Sequence, residues 1–350
     1  FVNGVVQDDP SLLLEPARSN VITYSEDFSN GYWQKSGTTV VSGQVSPTGN
    51  TDAFKLVEDT GTGHFIRRSG VSVVTGMKTM SIFAKAAGRD WILLWNGVDN
   101  SGRYFNIKDG YIGGTRSGTP VNSSIDDMGN GWYRCSMTIN SSNTSFQNQI
   151  YLSNADGSFS YTGDGTSGVY IYGSQIEQGS YPTSYIPTSG STVTRAAETA
   201  DGAGTSADFN DSEGVLFAEI STLANDLTYR ILSLSNGTLA ERVYLQYINA
   251  SNTISAVVKK GSSTQANIGY VLPNETEFSK VLFKYKSNDF ALWVNGFEVE
   301  STVGTNGGNT PIGLSELAFD DGNGNNDFYG NTKEIAVFKT ALTDSELESL

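Results

Sequence analysis

Apolar and polar residues alternate one by one through short runs along this chain, and that alternation limits what it can fold into. In 80–86 (MSIFAKA) Met80, Ile82, Ala84 and Ala86 fall on one side. In 90–96 (DWILLWN) Trp91, Leu93 and Trp95 share one side, and Ile92 and Leu94 share the other. Tyr133, Cys135, Met137 and Ile139 alternate through 132–139, and 149–152 (QIYL) and 169–176 (VYIYGSQI) follow. A period of two sends successive side chains to opposite faces of a strand. Clusters of Gly, Asn and Asp separate the runs, as turns require. The pattern predicts an all-β protein of stacked antiparallel sheets.

A polar, turn-rich stretch over 189–212 divides the chain. Residues 20–198 are expected to form one sandwich and 199–350 a second. Residues 1–19 lack the strand pattern and read as an arm docked on a neighbouring surface. In the second half, EGVLFAEI, YRILSL, RVYLQYI, TISAVV, KVLFKY, FALWV and FEVE are strand candidates. Asn295-Gly296 suits a two-residue type I′ hairpin turn. That turn sets Val294 opposite Phe297 and Trp293 opposite Glu298. Near the end, Thr343 and Glu346 stand at capping-box spacing and predict one short helix. No internal repeat is visible.

The 39 glycines and the frequent aromatics suit many strands joined by tight turns. A net charge of −15 opposes nucleic acid and anionic lipid as partners. No run of about 18 apolar residues could cross a membrane as a helix. The lone Cys135 rules out an intrachain disulfide and, from its alternating neighbours, belongs in a core. A start at Phe1 with no signal-like stretch suits an internal piece or a processed end.

Four motifs carry a family likeness in the first half: LLLEPARSNVITYSEDFSNGYW, FAKAAGRDW, GNGWYRCSMTI and the segment 161–188, YTGDGTSGVYIYGSQIEQGSYPTSYIPT. They resemble carbohydrate-binding-like jelly-roll modules of bacteriophage tail and fibre proteins and of marine bacterial surface proteins. Some such modules hold a structural calcium through an acidic residue on the last strand. Here that stretch reads Tyr172-Gly173-Ser174, so the likeness implies no calcium there. In the second half, Tyr329-Gly330 followed by Ile335, Phe338, Ala341, Leu342, Thr343 and Glu346 resembles the closing segment of laminin-G-like, concanavalin A-like sandwiches. The resemblances imply a jelly roll followed by a laminin-G-like sandwich.

Candidate chemistry is sparse. One His and one Cys leave little for a catalytic triad or a zinc site. His64 reads as a surface or strand-edge residue, and with Arg67 and Arg68 beside it could meet an acidic sugar. Glu219 stands alone on its strand, and Glu298 and Glu300 lack a third acid, so the paired carboxylates of a glycosidase are not evident. The oxygen-rich loop Asp320, Asp321, Asn323, Asn325 and Asp327 is either a Ca²⁺ site or a polar turn. Aromatic platforms are the best candidates, because sugars stack C–H faces on rings. Trp91, Trp95, Arg103, Tyr104, Tyr170 and Tyr172 form the expected carbohydrate-binding set, against the plainer reading that they pack in cores. Trp33 and Trp132 sit inside the motifs and are expected to be structural.

These residues and resemblances together predict a non-catalytic structural or adhesion protein on a tailed-phage virion surface. It would be a homo-oligomer among other virion proteins, presenting glycan-binding sandwiches to extracellular or cell-surface polysaccharide. The alternatives are a carbohydrate-binding appendage of a secreted bacterial polysaccharide-degrading enzyme, a surface adhesin, or pure architecture without ligand.

Overall fold

The computed structural model describes residues 10–299 and 308–350. The chain forms two compact units, one spanning Ala17–Ala196 and the other Ala197–Leu350 together with the segment ending at Pro16. Each is built from antiparallel sheets, so the predicted all-β class and its two tandem sandwiches hold.

In the first unit, sheet I orders its strands Tyr111–Thr115, Ser101–Asn106, Trp91–Asn96, Ser145–Ser153, Phe65–Ser72 and Gln34–Ser36. Sheet II orders Asn122–Asp127, Tyr133–Ser141, Gly76–Ala87, Gly168–Gln178, Ala53–Glu58 and Thr38–Gln44. One apolar core joins them, with Ile66, Ile92, Leu94, Phe105 and Ile150 from sheet I and Leu56, Met80, Ile82, Met137 and Ile171 from sheet II. Cys135 lies fully buried in this core, as its alternation predicts. Trp33 and Trp132 are buried too, and the Trp33 indole N–H donates to the Tyr24 carbonyl at 2.9 Å.

The segment 161–188 is anchored by a buried ion pair. Glu58 has no exposed side-chain surface. It accepts from Arg89 Nε at 2.8 Å and from a second Arg89 nitrogen, from the Tyr161 hydroxyl at 2.6 Å and from the Asp164 N–H at 2.8 Å. Asp164 then accepts from the N–H and hydroxyl groups of Thr166 and Ser167. The Gly-rich turn therefore closes on itself and on the Arg of FAKAAGRDW, so two separated motifs meet at one structural latch. His64 is fully buried, not at a surface. Its ring nitrogens lie 2.8 Å from the Gly37 carbonyl and 3.2 Å from that of Tyr161, and the strand alternation gave no sign of these loop partners.

In the second unit, sheet III orders Leu12–Leu14, Gly330–Phe338, Glu213–Thr222, Ser279–Lys286, Ala291–Val294 and Phe297–Glu298. Sheet IV orders Ser263–Val271, Thr253–Lys260, Arg242–Tyr247, Arg230–Ser235 and Glu316–Ala318. Leu216, Ala218, Phe283 and Leu292 meet Leu232, Leu245 and Ile254 in the core between them. The Asn295-Gly296 hairpin has the predicted register, with both turn residues at positive φ. Thr343 and Glu346 close the capping box on the helix Asp344–Ser349, which buries Leu347.

The arm expected over 1–19, read as lacking a strand pattern, contains two short strands. Leu12–Leu14 is an edge strand on Gly330–Phe338, and Arg18–Asn20 pairs with Val193–Arg195. Three consecutive leucines carry no alternation, and only Leu14 is buried. Backbone pairing at a sheet edge makes this strand, so the side-chain pattern did not reveal it.

Candidate functional site

On the face of sheet I turned away from the core of the first unit the registers align two rows, in which Gln149, Leu93, Tyr104 and Tyr151 are buried. The first runs Gln34, Arg67, Gln149, Trp95 and Gly102 across five strands. The second runs Ser36, Phe65, Tyr151, Leu93 and Tyr104. Residues directly opposite on antiparallel strands share a face, so each row is one band of neighbouring side chains.

Hydrogen bonds fix the polar band. Arg67 Nε donates to Gln34 Oε1 at 3.0 Å, Gln149 Nε2 to Gln147 Oε1 at 2.7 Å, and Gln147 Nε2 to Ser69 Oγ at 2.8 Å. The Tyr151 hydroxyl donates to Gln149 Oε1 at 3.3 Å. Gly102 keeps the flank of Trp95 clear, because a Cβ there would lie 3.3 Å from Trp95 Cδ1 and 3.0 Å from the Leu94 carbonyl oxygen.

The aromatic band packs through tilted and T-shaped ring contacts. Ring centroids are 4.6 Å apart for Phe65–Tyr151, 5.7 Å for Trp95–Tyr151 and 5.4 Å for Trp91–Tyr111. Phe159 closes on Tyr151 at 5.8 Å, and the Arg116 guanidinium lies between the Trp95 and Phe159 rings. Asp156, beside them, accepts from the Gly114 N–H. Burial raises the Tyr151 hydroxyl pKa, opposed by Arg116 and Arg67. Burial likewise lowers that of Arg116, opposed by its hydrogen bond with Tyr151. Trp95 Nε1 and Arg116 Nη1 are shielded and have no hydrogen-bond partner. Such unmet donors are uncommon in folded proteins.

The six residues expected to form one carbohydrate-binding set are divided by the fold. Trp91, Trp95 and Tyr104 share the outward face of sheet I, although Tyr104 is almost wholly buried. Arg103 does not join them. It stands opposite Leu94, whose side chain enters the core, so it lies on the other face of the same strand. Tyr170 and Tyr172 belong to sheet II, in a separate cluster with Phe83, Trp132 and Tyr185. The Tyr172 hydroxyl donates to Glu26 Oε1 at 2.8 Å there. Alternation assigns a side of a strand and not a sheet, which is why these tyrosines could be grouped with Trp91.

Gln34, Phe65, Gln149, Tyr151, Arg116 and Phe159 went unrecognised in the sequence, and Arg67 was noted only beside His64. Gln149 and Tyr151 alternate within QIYL, so their shared side was readable. Arg116 and Phe159 come from outside any patterned strand and left no signal.

In the second unit Glu219 stands opposite Glu334 and forms an ion pair with Lys333 at 3.1 Å. Glu298 pairs with Trp293, and Glu300 lies outside the described residues. The profile of the concanavalin A-like lectin/glucanases superfamily matches residues 217–348. Residues 217–348 are a concanavalin A-like domain. No curated protein matches the chain. Among solved structures, the CBM40 of the Ruminococcus gnavus IT-sialidase bound to α2,3-sialyllactose is 16% identical over 43% of this chain and 95% of its own, with a TM-score of 0.35. The native heptameric SAP-like pentraxin from Limulus polyphemus is 12% identical over 42% and 72%, with a TM-score of 0.33. CG-16, a homodimeric agglutinin from chicken liver, is 11% identical over 40% and 99%, with a TM-score of 0.29.

The oxygen-rich loop of the concanavalin A-like domain is built as a self-bonded turn. Asp321 accepts from the N–H groups of Asn323 and Asn325 and from the Asn326 amide. Asp320 accepts from the Gly322 N–H, and Asp327 from the Tyr329 hydroxyl at 2.6 Å. Burial pushes the Asp320 carboxyl pKa up. Among the described residues, no three acidic, His or Cys side chains converge to hold a metal.

Proposed function

We propose that this protein is a non-catalytic glycan-binding protein whose first unit contacts saccharide through the outward face of sheet I. One observation carries the reading: the row Gln34, Arg67, Gln149 and Trp95 runs beside a band of rings, and hydrogen bonds hold its polar members in place. Planar polar groups beside rings are what a sugar needs, for its hydroxyls and its C–H faces. Fixed rotamers lower the ordering cost on binding. The superfamily of the second unit, named for lectins and glucanases, agrees with a saccharide role. The ion pair of Glu219 with Lys333 favours the lectin side of that name over the glucanase side, because a glycosidase needs two free carboxyls.

The motifs of the first unit extend the reading to an extracellular or virion-surface setting on a tailed phage, with other virion proteins as neighbours. An appendage of a polysaccharide-degrading enzyme would use the same face in the same way. Weak single sites in a homo-oligomer would gain avidity.

A glycan array probed with the full chain and with Trp95→Ala, Gln149→Ala and Tyr170→Ala tests the proposal. Binding is expected to fall sharply for the first two and to persist for the third. Undiminished binding by Trp95→Ala and Gln149→Ala would remove the site.

A further inference from the structure

Resting on that reading, we infer that the saccharide taken by sheet I is anionic, with a sugar carboxylate held between Arg67 and Arg116 at the Tyr151 hydroxyl. The chain carries a net charge of −15, yet this face presents two guanidiniums. In this unit Arg89 pairs with Glu58 and Asp164, and Arg18 with Glu177. Neither Arg67 nor Arg116 has an ion pair among the described residues. Arg67 uses only its Nε, on Gln34, and its guanidinium lies over the Phe65 ring. Arg116 sits against Trp95 and Phe159 with Nη1 unmet. Both act on Tyr151, whose ring lies beside Phe65 and Trp95.

The unmet nitrogens on this face, Arg116 Nη1 and Trp95 Nε1, are both donors. A hydroxyl brings a proton that must itself be placed, whereas a carboxylate brings acceptors alone. Planar guanidinium and planar carboxylate also match in shape, which sulfate does not share equally. The Asp156 carboxylate accepts from the Gly114 N–H. An array of rings and guanidiniums in a strongly acidic protein therefore selects a polyuronate over a neutral polysaccharide.

Affinity electrophoresis of the full chain through gels containing polygalacturonate, neutral galactan or dextran sulfate tests this. Arg67 is partly exposed, so Arg67→Gln and Arg67→Lys can be made with melting temperature as the check on folding. The expected result is retardation by polygalacturonate, weakened about tenfold in Arg67→Gln. It is also weakened in Arg67→Lys, which keeps charge but loses the fork, and by raising NaCl from about 50 to about 500 mM. Retardation by galactan equal to that by polygalacturonate, unchanged in Arg67→Gln, would overturn the inference and leave the glycan reading standing. Retardation by dextran sulfate alone would overturn the carboxylate assignment. No retardation in any gel, with no array binding, would overturn the glycan reading itself.

Discussion

Arg89 closes on Glu58 through two nitrogens, and the carboxylate so held also takes the Tyr161 hydroxyl and the Asp164 N–H. Burial alone would raise the Glu58 pKa, but these donors outweigh it and the net shift is downward. A carboxyl with a depressed folded pKa contributes stability above its unfolded value, near about 4.3. That contribution is lost as pH falls below it through the folded value. Glu58→Ala leaves Arg89 without its main partner and should cost about 3–5 kcal/mol at neutral pH. Urea unfolding of both proteins, followed from pH 7 downward, should show the difference shrinking once the pH drops below about 4.

Gly168 begins the strand that carries the second half of the 161–188 motif, and it has no room for a side chain. A Cβ there would lie 2.0 Å from the Leu56 carbonyl oxygen. Gly168→Ala must push the strand away from Ala53–Glu58 and should destabilise the first unit by about 2–3 kcal/mol or more. Gly157 has nothing within 4 Å of its Cβ position but holds a φ of +77°, so Gly157→Ala tests conformation without crowding. Its cost should be smaller, about 1–2 kcal/mol, by the same denaturation measurement.

The terminal helix depends on its cap. Thr343 Oγ1 accepts from the Glu346 N–H, and Glu346 Oε2 accepts from the Thr343 N–H at 2.8 Å. Thr343→Ala should lower the stability of the second unit by about 1 kcal/mol. Thr343→Ser should restore most of it, read as the urea midpoint.

Cys135 is fully buried, and that burial raises its thiol pKa well above the ordinary value. The thiolate is the reactive form, so a thiol reagent at pH 8 should leave the native protein unlabelled and modify one thiol in denaturant. Fast labelling of the folded protein would show that the first core opens readily.

The fold was readable where side chains set it. Val294 meets Phe297 across Asn295-Gly296 because the turn fixes register, and Met80 through Ala84 alternate because one face is a core. Leu12–Leu14 was hidden because a sheet edge, and not an alternating pattern, makes it a strand. Trp91 and Trp95 were readable as a shared side. Their neighbours were not, because which strands adjoin depends on contacts distant in sequence. Arg67 meets Gln149 across 82 positions, and Arg116 reaches Trp95 from beyond its strand. The Asp and Asn residues of 320–327 suggest a cation by composition alone, and the loop spends their oxygens on its own N–H groups.

Fluorine NMR of the full chain with 5-fluorotryptophan bears most directly on the sheet I face as the saccharide contact. The five tryptophans are Trp33, Trp91, Trp95, Trp132 and Trp293, each assignable by loss of its signal on replacement with Phe. On titration with a polysaccharide that the array identifies, the Trp95 resonance should move and saturate while those of the buried Trp33 and Trp132 stay fixed. Saturable binding that moves only Trp293, or leaves Trp95 in place, would contradict the account.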